Sequence, residues 1–254
     1  MQLENRTAIV TGGSSGIGRS IALEFAREGA DVMIGDVQRA PKDKAEETPT
    51  DDLIQDLGRE AMFTKTDVTQ VTDGKKLVES TVEAFGGVDI VVNNAGIFPP
   101  GSVDTVSEED WDQTFATNVK AIYIVTKPAV AHLRDSEAGR ILNLSSQLGL
   151  VGRANAAAYC ASKGAVVNLT RQMAIDYASD KITVNAISPG IIRTSMTAEK
   201  LADESRREPL ERDTLLPFFG DPTDIGRTAV FLASDDSRYV TGHCLVIDGG
   251  YTVH

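Results

Sequence analysis

The chain has 254 residues, 41% of them hydrophobic and 24% charged; this suits a globular protein with one large core, and no apolar run is long enough to cross a bilayer. Its 37 acidic and 25 basic side chains leave a net charge of −12, a field that repels polyanions and argues against nucleic acid as a partner, though dense carboxylates also suit a high-salt host. Cys160 and Cys244 form no CxxC and no metal-ligand cluster, and the start M-Q-L-E-N-R-T shows no leader, so a cytoplasmic chain without metal or membrane attachment is expected.

From Arg6 onward, short apolar runs alternate with longer amphipathic ones. T7-A-I-V-T11 leads into G12-G-S-S-G16-I-G18 and then the helical pattern R-S-I-A-L-E-F-A. Strand, glycine turn and helix N-terminus in that order make an anion site, because free backbone N–H groups and the helix dipole face the turn. Gly12, Ser14, Ser15, Gly16, Ile17 and Gly18 therefore read as a pyrophosphate cradle, although the spacing G-x-x-x-G-x-G departs from G-x-G-x-x-G. A second strand, M33-I-G-D36, ends on Asp36. An acid there accepts hydrogen bonds from an adenosine ribose and repels a 2′-phosphate, so NAD is favoured over NADP; Arg39 could still supply a charge to the phosphate. Residues 37–52, charged and with two prolines, read as an exposed excursion before a short helix. The third strand, A61-M-F-T-K-T, is closed by Asp67 and Val68, placed to touch the adenine, with a helix N-cap as the other reading.

V88-D-I-V-V precedes N93-N-A-G96. There Asn93 is expected to brace the sheet, while Asn94, Ala95 and Gly96 approach the cofactor. Trp111 and His132, in the helical run 108–133, read as packing or surface residues. R140-I-L-N-L forms a strand that ends in Ser145 and Ser146. In Y159-C-A-S-K163 a phenol and an ammonium four residues apart share a helix face. A fixed cation moves a tyrosine down from its usual ~10 toward the range of acid/base catalysis. Cys160 is turned about 100° from that face and is read as packing. After the strand I182-T-V-N-A-I and Pro189-Gly190, residues 195–217 mix charges with apolar side chains, giving a mobile lid or a plain pair of surface helices. C244-L-V-I supplies a last strand. The rhythm predicts an α/β fold over residues 1–254: a single-domain doubly wound parallel sheet of about seven strands with helices on both faces.

With T11-G-G-S-S-G-I-G18, N93-N-A-G96, Asn118, Ser146, Tyr159, Lys163 and S188-P-G190 in this order, the chain resembles, end to end, the short-chain dehydrogenase/reductase family. The resemblance implies one Rossmann-type domain, with residues 1–96 mainly holding the cofactor and 97–254 the catalytic groups, and an oxidoreductase that moves a hydride between a secondary alcohol and a nicotinamide. Tyr159 would be its general acid/base, and Lys163 would lower the tyrosine's pKa and hold the nicotinamide ribose. Ser146, thirteen residues before the tyrosine, would bond the substrate oxygen, leaving Ser145 to pack or to bond backbone. Asn118 would bind a water linking Lys163 to solvent. Pro189, Gly190, Ile192 and Thr194 would embrace the nicotinamide, and the Tyr159 helix with the C-terminal strand would assemble a homotetramer.

Ile97, Phe98, Gln147, Leu148, Met196, Phe218 and Phe219 are the candidate substrate-facing residues. They suit a small alicyclic or aliphatic secondary alcohol or its ketone, with Gln147 and Asn155 leaving room for a sugar. A reductase of 3-oxoacyl thioesters is the alternative, against which Asp36 and the acidic balance argue. A non-catalytic NAD-sensing or scaffold protein is the alternative of another class.

Overall fold

The β-branched runs become strands and the amphipathic ones cover them. In a computed structural model that describes residues 1–43 and 46–253, β1 (Thr7–Thr11) is followed by α1 (Gly16–Arg27), β2 (Asp31–Asp36), α2 (Thr50–Asp56), β3 (Ala61–Lys65), α3 (Val71–Phe85) and β4 (Ile90–Asn93). The second half adds α4 (Glu108–Phe115), a π-helical turn (Ala116–Lys120), α5 (Ala121–Asp135), β5 (Arg140–Leu144), α6 (Ala157–Tyr177) and β6 (Thr183–Pro189). It ends with α7 (Ser195–Ala202), α8 (Glu204–Asp213), α9 (Pro222–Ala233) and β7 (Cys244–Ile247). The seven strands form one parallel sheet in the order β3-β2-β1-β4-β5-β6-β7.

Alternation along each strand divides the core in two, since successive side chains point to opposite faces. Ala8 and Val10 pack with Ile21 and Phe25 of α1 and Ile225 and Ala229 of α9. Ile9 packs on the other face with Leu77 of α3, Val125 of α5 and Val166 of α6. The chain leaves β1 toward β2 and β3, then returns to place β4 on β1's other side. That reversal opens a crevice at the carboxyl ends of β1 and β4, the place where open α/β sheets bind ligands.

Most of the described residues of 37–52 are exposed, as expected, and the segment is tied to the glycine turn: Ser14 Oγ donates to the Gln38 carbonyl at 2.7 Å, Ser15 Oγ accepts from the Lys42 N–H at 2.6 Å, and Thr50 Oγ1 donates to the Gly13 carbonyl at 2.9 Å. Residues 44 and 45 of this segment lie outside the described residues. The helical run 108–133 is helical throughout, with a π turn at Ala116–Lys120 that buries Asn118 beneath the crevice.

Candidate active site

The crevice is a cleft of about 810 Å³ running from Asp36 to the α7 helix. Its floor is the glycine turn. Gly12 sits at φ +64°, where a Cβ would stand 2.9 Å from Asn94 Nδ2, and a Cβ on Gly18 would stand 2.2 Å from the Gly12 carbonyl oxygen. Only glycine permits that approach. Ser15 caps α1 without a side-chain bond and the first turn holds no acid, so the positive end of the helix faces the cleft uncompensated. Thr11 Oγ1 accepts the N–H groups of Asn94 and Ala95 at 3.0 and 3.2 Å and donates to the Val92 carbonyl. Asn94 Nδ2 in turn reaches the Thr11 and Gly12 carbonyls. Asn93 braces the sheet as expected, donating to Asn143 Oδ1 at 2.9 Å.

At one end of the cleft lie Asp36, Asp67 and Val68. The Asp36 carboxylate accepts the N–H groups of Ser14 at 3.1 Å and Val37 at 2.8 Å, which fixes it at the strand end. Ser14 is buried and does not line the cleft; it holds Asp36 and the Gln38 carbonyl in place. Arg39 is committed elsewhere, its guanidinium bonded to Asp51 at 2.9 Å and to Asp52. Asp67 lines the cleft and accepts the Thr69 N–H and hydroxyl; it is not the N-cap of α3, whose cap position is Gln70.

The four expected catalytic residues come from three elements. Ser146 and Tyr159 face each other, and Ser146's hydrogen bond favours the ionised phenol. Lys163 Nζ donates to the Leu144 carbonyl at 2.6 Å and lies 5.7 Å from the Tyr159 ring centre. Burial pushes the Tyr159 phenol up, with Ser146 opposing, and pulls Lys163 down to about 8. The expected lowering of the tyrosine by the lysine is therefore not a property of the chain alone. Asn118 does not line the cleft: its Oδ1 accepts the Ile97 N–H at 2.9 Å, and its Nδ2 donates to the Ile97 carbonyl and to Ser162 Oγ. Ser145 bonds the Lys163 carbonyl at 2.9 Å, the backbone role expected of it.

Pro189, Gly190, Ile192 and Thr194 close the far side. The Thr194 methyl would meet a Cβ on Gly16 at 3.3 Å, so this segment reaches across to the glycine turn. Ile97, Phe98, Gln147, Leu148 and Met196 line the same end; Phe98 stands edge-on to Tyr159 with ring centres 4.6 Å apart. Phe218, Phe219 and Asn155 do not: Phe218 lines a neighbouring cavity of about 420 Å³, Phe219 is buried, and Asn155 is exposed at φ +56° in the turn before α6. Sequence reasoning missed Thr11, Lys42, Arg153 and Lys200, the last three being lone cations in irregular or surface segments that only the fold gathers at the rim. Trp111 stacks on Phe115, a packing role. No group of three or more potential metal ligands occurs among the described residues, and no helix among them is long and apolar enough to cross a membrane.

A nicotinamide dinucleotide fits this cleft. The glycine cradle at an uncompensated helix N-terminus suits a pyrophosphate, and the acid at the end of β2 suits a ribose.

A family profile described as enoyl-(acyl carrier protein) reductase matches residues 12–252. The 3-oxoacyl-[acyl-carrier-protein] reductase FabG of Thermotoga maritima is 38% identical over 258 residues, covering 100% of each chain. A solved structure of a provisionally assigned short-chain alcohol dehydrogenase from Sinorhizobium meliloti 1021 superposes with a TM-score of 0.92 at 38% identity, over 99% of this chain and 98% of that one. A provisionally assigned 2-deoxy-D-gluconate 3-dehydrogenase from Agrobacterium tumefaciens, solved with bound NADP, gives 0.89 at 33% identity, over 100% and 98%.

Proposed function

As this chain belongs to the short-chain dehydrogenase/reductase family, whose oxidoreductases use a nicotinamide cofactor, we propose that it is an NAD-dependent dehydrogenase of secondary alcohols that also runs the reverse ketone reduction. The observation that carries this reading is the convergence of Ser146, Tyr159 and Lys163 on one wall of the cleft. A bound nicotinamide would supply the acceptor or the donor of the hydride. Tyr159 takes the hydroxyl proton as the C–H electron pair leaves, so CH–OH becomes C=O; in reduction it gives the proton back to oxygen. Ser146 Oγ donates to the substrate oxygen as charge develops on it. Lys163 holds ribose hydroxyls and, with the surrounding water displaced, favours phenolate at Tyr159. Asn118 ties Ile97 to Ser162, the neighbour of Lys163 on α6, and so keeps the two in register.

Gly12, Ser15, Gly16, Ile17 and Gly18 cradle the pyrophosphate, Asn94, Ala95 and Gly96 support the ribose side, and Pro189, Gly190, Ile192 and Thr194 hold the carboxamide. Helices α7 and α8 act as a lid that excludes water. NAD is favoured over NADP by Asp36, and because Arg39 is held by Asp51 and Asp52 it is not free for a 2′-phosphate. The enzyme works on a small molecule, as a cytoplasmic homotetramer, without nucleic acid or membrane.

The second reading is a 3-oxoacyl thioester reductase, favoured by the 38% identity to a reductase of that name. Absorbance of reduced nicotinamide, followed with a panel of secondary alcohols and, in reverse, with 3-oxoacyl thioesters, separates the two. Wild type is expected to turn over alcohols with NAD, and Tyr159→Phe to lose on the order of 10² to 10⁴ in kcat while binding NAD normally. An inert wild type that binds NAD would return the sensor reading. Asp36→Ala is expected to raise the NADP-to-NAD ratio of kcat/KM at least ~10-fold, the equivalent of ~1.4 kcal/mol; an unchanged ratio would remove Asp36 as the selector.

A further inference from the structure

Lys42 apart, whose N–H the Ser15 hydroxyl holds beside the glycine turn, the charged residues lining the cleft are sorted by sign. Its acids, Asp36 and Asp67, stand with Val37 and Val68 at the adenosine end, whereas Arg153 and Lys200 stand at the substrate end with Lys163. Arg153 lies in the loop before α6 and Lys200 on α7. The Lys200 ammonium sits 4.2 Å from the centre of the Phe98 ring, and that ring meets Tyr159 edge-on at 4.6 Å. The cation is thus one aromatic ring removed from the phenol.

Both cations are half-buried. Burial first, then the nearby Arg153 and Arg206 guanidinium groups, lower the Lys200 pKa, so these charges lie within each other's field. Arg206 is neutralised by Asp203 at 3.3 Å. Neither Arg153 nor Lys200 has a carboxylate partner among the described residues, in a chain that carries twelve more acids than bases. Partly desolvated like charges left unpaired cost free energy that an anion between them relieves. A second, independent observation points to a polar ligand at the same end. Gln147 is 1% exposed, lines the cleft, and its carbonyl oxygen Oε1 has no hydrogen-bond partner. A buried acceptor left without a donor is costly, and a hydroxyl of the ligand would satisfy it. A purely hydrocarbon alcohol satisfies neither feature.

We propose that the substrate is a short acid or phosphate ester bearing at least two hydroxyls, whose anionic group is held by Arg153 and Lys200 and one hydroxyl by Gln147, while its carbinol carbon lies at Tyr159. This rests on the dehydrogenase reading above. The step is unchanged: the carbinol C–H pair goes to the nicotinamide as hydride and the hydroxyl proton to Tyr159. The anion takes no part in bond making; it fixes which carbinol is presented.

The test compares kcat/KM for acids of three to six carbons bearing at least two hydroxyls with their neutral amides, and for glycerol 3-phosphate with glycerol. Wild type is expected to prefer one anionic series at least ~10-fold, mainly through KM, and the series preferred tells carboxylate from phosphate. In R153Q/K200Q that acid-to-amide ratio is expected to fall toward one, with each single variant intermediate. Equal use of anion and neutral analogue by wild type, or a preference that survives the double variant, overturns the proposal.

Calorimetric titration of the enzyme–NADH complex with succinate, succinamide and inorganic phosphate gives a readout independent of turnover. An anion bound at least ~10-fold tighter than succinamide, with the preference lost in R153Q/K200Q, supports the anion site even if no alcohol in the panel reacts. In that case the alcohol reading fails and the site stands. Equal binding of anions and succinamide, with Tyr159-dependent turnover of neutral alcohols, is the reverse result.

Discussion

At the scale of single residues, the pair Tyr159 and Lys163 is held in a tension that burial creates. The Lys163 ammonium is 4% exposed and has the Leu144 carbonyl as its hydrogen-bond acceptor, and desolvation draws it to about 8 from 10.5. Because the folded state binds its proton less tightly than the unfolded state, the cost is fully present below pH 8. It fades as pH rises from 8 to the unfolded value of 10.5. Wild type is therefore expected to gain stability relative to Lys163→Met across that window, by about 1 to 3 kcal/mol, read from urea midpoints of the two proteins at each pH. A constant difference from pH 7 to 10.5 would show that the lysine is not held against its charge. The same residue shows why a static pair understates a site. Its ammonium lies 5.7 Å from the centre of the Tyr159 ring, and solvent and ligand set how strongly the two are coupled.

At the scale of elements, the segment between β2 and α2 is a brace for the glycine turn. Buried Arg19 donates to Thr50 Oγ1 at 3.1 Å and pairs with Glu46 at 3.2 Å, while Thr50 Oγ1 donates to the Gly13 carbonyl. The hydroxyl links the first turn of α2, α1 and the cofactor loop. Thr50→Val keeps the shape but leaves a buried guanidinium short of an acceptor and a carbonyl without its donor. A loss of about 1 to 3 kcal/mol in chemical unfolding is expected, with weaker NAD binding by fluorescence titration. Destabilisation without any change in NAD affinity would confine the brace to folding. The brace itself was not legible in residues 37–52, whose charge and prolines show an exposed segment before a short helix but not its partners. Composition reports solvent preference on average, whereas three specific backbone bonds hold this loop down.

At the scale of the whole molecule, the sheet order puts β7 at an edge, and its four residues are all half-buried rather than covered. Near it Phe231 is 41% and Tyr239 97% exposed, surface of the kind that subunits cover. Static light scattering is expected to give four times the 27.2 kDa of one chain; a monomeric mass would remove the tetramer. What the sequence determined by itself was the alternation of strand and helix, and with it the parallel sheet. It also determined the glycine turn, Asp36 at a strand end, and the tyrosine and lysine on one helix face. Each of these follows from neighbours within about one turn or strand, where periodicity fixes geometry. The tertiary structure alone decided that Asn118 is a clamp buried by a π turn, that Arg39 is occupied by Asp51 and Asp52, and that Phe218 faces another cavity. It also brought Arg153 and Lys200, 47 residues apart, to one rim. Those facts depend on long-range packing and on which charges meet, and no local pattern carries either.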